Sequence, residues 1–191
     1  MTDAAKAPTR RQQDVQRNLD ALLAAATEVF ATDGVDAPVR RIIAAAGIGA
    51  GTYYRHFPHR SDLITAVFRH EVEACVATAA DFADQYEPVE ALTRWLQQVA
   101  RFIADKHGLK PAMHSGEPPY RELPVFFLDR LTPVLKQFLD TAADAGHVRS
   151  DISAPDLMRV LSGIVVPDDR AYTDRMIDLV VDGLRYGRTA T

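Results

Sequence analysis

The sequence predicts an all-α protein of about nine helices. Three observations carry this. Apolar residues recur at spacings of three and four through almost the whole of the 191-residue chain, the mark of one buried face per helix. No stretch shows a convincing period of two, and no hairpin signal joins neighbouring apolar runs. Gly34, Gly47, Pro88, Gly146, Pro155 and Pro167 fall between the stripes, where helices stop and start.

Residues 1–13 are polar and contain Pro8, so they are expected to form a flexible arm. A first long helix is expected from about Asp14 to Thr32, with Leu19, Leu22, Leu23, Ala26, Val29 and Phe30 buried and Gly34 ending it. A short helix follows. In it Val39, Ile42, Ile43 and Ala46 share one face, and Pro38 suits the first position because its missing N–H costs nothing there. Gly47 stops that helix, Ile48 plugs the corner, and Gly49 opens a third helix in which Tyr53 and Phe57 share the buried side.

The fourth helix begins at Pro58 or Ser61 and carries Ile64, Phe68, Val72, Cys75, Ala79, Phe82 and Tyr86. A fifth follows Pro88, with Leu92, Trp95, Leu96, Val99, Phe102 and Ile103 on one face. Residues 107–123, rich in proline and glycine, hold at most a short helix. The next helix carries Phe127, Leu128, Leu131, Leu135, Phe138 and Leu139; Pro133 should kink it, or Thr132 restart it as an N-cap. Two last helices are expected roughly over Pro155–Val165 and Ala171–Arg185.

Helices two and three, joined by a tight turn, form a helix-turn-helix, whose second helix enters the DNA major groove. Successive helical residues diverge by about 100°, so Tyr54, Arg55, Ala50 and Gly51 look away from the buried Tyr53 side. The ordered set is the apolar helix Leu19–Phe30, Gly34, Ala46-Gly47-Ile48, Gly51-Thr52-Tyr53-Tyr54, His56-Phe57-Pro58 and the aliphatic start from Leu63. In these residues, roughly the first third of the chain, the sequence resembles the tetracycline-repressor (TetR) family of bacterial regulators. The loop Val35-Asp36-Ala37-Pro38 is short, and Gly49-Ala50 stand where many members have Ser-Lys, which leaves one fewer phosphate contact.

Composition agrees with a soluble globular chain: 47% hydrophobic, 25% charged. No apolar run approaches the ~20 residues of a membrane span, and the N-terminus lacks a signal-peptide core, so a cytoplasmic location is expected. The lone cysteine, Cys75, excludes an internal disulfide or a multi-cysteine zinc site and reads as a small core residue. The net charge of −4 divides unevenly: residues 1–60 carry eight Lys/Arg and six Asp/Glu, and the remainder carries −6. A basic reading head on an acidic body fits this, though a surplus of two is also ordinary scatter.

The resemblance implies three functional sets. The DNA-binding set is Arg40, Gly49, Ala50, Gly51, Thr52, Tyr53, Tyr54, Arg55, His56 and Arg60. Tyr54, His56 and Arg60 supply phosphate donors, and the free N–H groups at Gly49–Thr52 favour an anion. Ala50 suits a thymine methyl, Thr52 a base edge or a phosphate, and Arg40 matches a position that reaches bases in some relatives. Tyr54 could instead cover the neighbouring helix, and Arg60 could pair with Asp62. The ligand set is Trp95, Phe102, Met113, Tyr120, Phe126 and Phe127, around a cavity for a small apolar or aromatic effector entered between Gly108 and Tyr120; residue by residue, each also reads as ordinary core. The homodimer set is Leu157, Leu161, Ile164, Ile177, Val180, Val181 and Leu184, forming a four-helix contact or, alternatively, an internal core.

Division of the chain follows: arm 1–13, reading head 14–60, effector and dimer body 61–191. His107, His114 and Glu117 lack a diagnostic metal spacing, so neither metal nor cofactor is expected. No enzyme motif occurs. The expected function is a sequence-specific repressor released from a palindromic operator by a small molecule. The alternatives are a DNA-architectural protein without effector and a helical enzyme using His107 or His114.

Overall fold

The structure, a computed structural model, describes residues 10–106 and 118–186. Among them every regular element is a helix: α1 Arg10–Asp33, α2 Val39–Ala46, α3 Ala50–His56, α4 Arg60–Gln85, α5 Pro88–Asp105, α6 Leu123–Asp144, α7 Ala154–Ile164 and α8 Arg170–Arg185. None is long and apolar enough to cross a membrane. The chain divides into two compact units, residues 1–67 and 68–191.

In the first unit α2 packs on α1, and Leu22, Ala26, Phe30, Ile42, Tyr53, Phe57 and Leu63 form the core. The helix-turn-helix corner rests on Gly47, whose φ of 66° is left-handed. That conformation lets the Gly47 N–H donate to the Ala44 carbonyl and the Ile48 N–H to the Ile43 carbonyl, satisfying groups the ending helix leaves open. Two boundaries differ from expectation. α1 starts at Arg10, inside the expected arm, because Arg and Gln are good helix formers and Arg17 pairs with Asp14 one turn away; the rest of that arm, residues 1–9, lies outside the described residues. Pro38 caps α2 instead of entering it, its carbonyl accepting the Arg41 N–H at 2.9 Å. At the next helix the Asp62 carboxylate accepts the His59 N–H at 2.8 Å, one half of a capping box at the start of α4.

In the second unit α5 lies against both α6 and α8, and α7 packs on α6. Leu92, Trp95, Leu96, Leu123, Leu131, Leu135 and Met158 are fully buried. The Trp95 indole N–H donates to the Cys75 carbonyl at 2.9 Å, so this large ring enters the core without a lost hydrogen bond. Burial pushes the neighbouring Cys75 thiol up to about 11, and the Glu71 charge adds to that, leaving it un-ionised at neutral pH. α6 continues through Pro133 as one helix; proline removes one backbone donor there, on the exposed side. Gly146, at φ +70°, ends the α6 corner, Ser153 caps α7 and Asp169 caps α8.

Candidate nucleic-acid interface

α3 is short, and its exposure divides sharply. Tyr53 is 1% exposed and belongs to the core, with its ring edge-on to Tyr54 at 5.0 Å and 6.0 Å from Phe57. Tyr53 therefore leaves the DNA-facing set. Its hydroxyl is buried without a hydrogen-bond partner, and burial raises its pKa. The opposite side presents Gly49, Ala50, Gly51, Tyr54 and Arg55 outward, with Thr52 and His56 half-buried. Tyr54 is 56% exposed, and its ring is braced edge-on against the buried Tyr53.

The guanidinium groups of this unit do different work. Arg41 pairs with Asp33 of α1. Arg60 turns inward: it donates to the Val35 carbonyl, donates to the Ala37 carbonyl at 2.7 Å, and lies 6.0 Å from the centre of the Phe30 ring. It thus ties the loop between α1 and α2 to the start of α4, and Asp62 is engaged with His59. The expected phosphate role of Arg60 is corrected to that of a brace. Arg40 and Arg55 are exposed and have no hydrogen-bond or ion-pair partner among the described residues. Arg40, Thr52, Tyr54, Arg55 and His56 therefore supply the polar side chains of the candidate surface, around a bare helix start.

Known proteins share this fold. The family model for bacterial regulatory proteins of the tetR family matches residues 22–67, and one described as transcriptional regulator SbtR-like, C-terminal domain, matches residues 87–186. A TetR transcriptional regulator from Streptomyces coelicolor is 38% identical with a TM-score of 0.75, over 90% of this chain and 99% of that one. The chain belongs to the TetR family of transcriptional regulators. A TetR regulator from Mycobacterium vanbaalenii is 29% identical with a TM-score of 0.71, over 92% of this chain and 99% of that one. An HTH-type transcriptional regulator of Staphylococcus aureus is 27% identical over 62% of this chain and 69% of its own length; further regulators of that species are matched over 60% of theirs. As a TetR-family member the protein is a DNA-binding regulator, and its relatives carry the names of regulators and not of enzymes.

The second unit of this TetR-family chain departs from the expected ligand and dimer sets. Met113, with His107, His114, Glu117 and most of the expected cavity entrance, lies outside the described residues. Phe102 stacks on Phe127 at 5.8 Å and meets Phe68 at 5.2 Å, while Trp95 lies 5.5 Å from Phe138. Tyr120 is 9% exposed, and Phe126 is covered by Arg69 at 4.6 Å. Trp95, Phe102 and Phe127 fill space with neighbouring rings and, with the buried Tyr120, are corrected to core, while Phe126 stays half-buried. Beside them Lys106 and Glu71 form a buried ion pair at 2.8 Å, while the second Glu71 oxygen is buried without a partner. An apolar hollow of about 310 Å³ lies elsewhere, between Val76, Ala79 and Ala83 of α4 and Val134 and Phe138 of α6.

On the last two helices Leu157, Leu161, Ile177, Val181 and Leu184 are at most 4% exposed within one chain. They are corrected from a partner contact to internal packing; Ile164 and Val180 remain half-buried. A second stripe runs along α8 through exposed Tyr172, half-buried Met176, exposed Leu179 and exposed Gly183 to Tyr186 just past the helix end, spaced four, three, four and three. Leu179 is 63% and Tyr186 84% exposed, and Val160 on α7 is 44% exposed. The heptad spacing was available in the sequence to find it. Gly183 interrupts α8 at an ordinary φ, with no heavy atom within 4 Å of an added Cβ, although glycine in a helix costs about 1 kcal/mol relative to alanine.

Proposed function

We propose that the protein is a repressor that binds a palindromic operator as a homodimer and is released by a small apolar effector. Residues 14–60 read the DNA, and residues 61–191 hold the effector and the second copy. The observation that carries the operator reading is the exposed, unpaired Arg40 and Arg55 on the same unit as exposed Tyr54, where Arg17, Arg41 and Arg60 are each held by a partner. The two-fold repeat of that surface favours half-sites about one helical turn apart.

The partner copy meets the outward α8 stripe with Val160 of α7, where Gly163 and Gly183 allow two backbones to approach closely. The effector reading rests on the hollow between α4 and α6, which lies at the small end of the range of about 300–1,000 Å³ for ligand sites. An effector releases DNA only if it binds one state better, so operator must weaken effector binding by the same factor. Calorimetry with and without operator measures that factor.

The arginine assignment is tested by the salt dependence of operator affinity. Arg55→Ala should weaken binding to all duplexes alike and reduce the log–log salt slope by about one. Arg41→Ala, which loses a side chain committed to Asp33, should change the slope by much less. Equal changes in both variants would contradict the assignment.

A further inference from the structure

Two wide clefts of the second unit are lined with charge. One of about 960 Å³ between α6 and α7 includes Asp129, Lys136, Asp140, Asp151 and Arg159. Another of about 800 Å³ between α5 and α8 includes Glu87, Glu90, Arg94, Asp178, Asp182 and Arg185. The hollow of about 310 Å³ between α4 and α6 differs. Eleven residues line it and none is charged, although 25% of the chain is.

Val76, Ala79, Ala80 and Ala83 fall at i, i+3, i+4 and i+7 on one face of α4, and the three short side chains leave room that larger ones would fill. The facing wall is firm: Phe138 is 6% exposed and lies 5.5 Å from the fully buried Trp95. Arg94 stacks at 4.2 Å over Tyr86, a lining residue, but its charge is taken by Glu90 at 2.9 Å. The polar side chains of the lining, Tyr86, Gln137 and Thr141, are all neutral. The Thr141 hydroxyl donates to the Gln137 carbonyl at 2.9 Å, while the Gln137 carboxamide makes no hydrogen bond among the described residues.

At roughly 30 Å³ for each water-sized group, the hollow holds about ten of them. We propose that it selects an uncharged amphiphile of that size: an apolar chain or ring lies between α4 and α6, and a hydroxyl or carbonyl at its end pairs with the Gln137 carboxamide. This rests on the effector reading of the same hollow and narrows it. A carboxylate, phosphate or ammonium group brought to these walls sheds water and gains no counter-charge. A hydroxyl exchanges its hydrogen bonds with water for equivalent ones.

1-Octanol, octanoate and octylamine share one chain and differ in charge at neutral pH. Calorimetry measures the binding of each to the protein alone, and operator affinity is then measured with and without 1-octanol on a duplex selected from random DNA. 1-Octanol should bind at least about tenfold more tightly than either charged probe. Ala83→Leu should fill the hollow and abolish that binding while the ligand-free Tm is kept. Ala80→Lys adds a cation at an exposed lining position and should turn the preference towards octanoate. Equal binding of the three probes, binding of none, or 1-octanol binding that Ala83→Leu leaves untouched would overturn the inference. Failure of Ala80→Lys to improve octanoate binding would count equally against it. Selective 1-octanol binding that leaves operator affinity unchanged would instead overturn release through this hollow, with its charge selectivity intact.

Discussion

Leu179→Asp is expected to leave the protomer folded and convert the protein to a monomer, whereas Val181→Asp, two residues along the same helix, unfolds the second unit. The two positions lie on opposite stripes of α8. Leu179 is 63% exposed and Val181 4%. A carboxylate at 179 stays hydrated in the single chain and should change its stability by no more than about 0.5 kcal/mol. In the proposed dimer it meets its own copy across an apolar contact, and association is lost. A carboxylate at 181 is buried without a partner, at a cost of about 3–5 kcal/mol. Light scattering and thermal unfolding separate the cases. The Leu179→Asp monomer holds one half-site and loses the benefit of linked binding, so operator affinity should fall by about a hundredfold or more. A folded, dimeric Leu179→Asp would move the interface elsewhere.

Arg60→Ala should destabilise the reading head by about 2–4 kcal/mol, since it removes hydrogen bonds from a charged donor to the Val35 and Ala37 carbonyls in a half-buried setting. The loop between α1 and α2 loses its tie to α4. Operator binding then falls steeply with temperature, as the head opens. At temperatures where the variant is folded, the salt slope should stay near that of wild type, because no phosphate contact has gone. Thermal unfolding and salt titration decide between brace and contact. Normal stability with a slope reduced by about one would return Arg60 to the DNA face.

The reading head was legible because its cues are local. Gly47 needs a left-handed turn, Ile42 and Tyr53 follow helical spacing onto one core, and all fall within fifteen residues. The role of Arg60 was not legible: its acceptors lie 23 and 25 residues away, and no spacing rule links a guanidinium to two loop carbonyls. On α8 two stripes compete. Ile177, Val181 and Leu184 are the more apolar, and the chain uses them itself. The outward stripe is diluted by Gly183 and two tyrosines, so hydrophobicity alone points to the face that the chain buries itself. Trp95, Phe102 and Phe127 show a related limit. A cluster of rings reads equally as cavity lining or as core, and only packing distances distinguish the two.

The most direct measurement of the central claim, that a dimer reads DNA through the Arg40–Tyr54–Arg55 face, is selection of duplexes from random DNA followed by footprinting. The account predicts an inverted repeat with half-sites about one helical turn apart, protected by two protomers. Enrichment should vanish in the Arg40→Ala, Arg55→Ala double variant while its Tm is kept. No enriched sequence with wild type, or the same enriched repeat with the double variant, would contradict it.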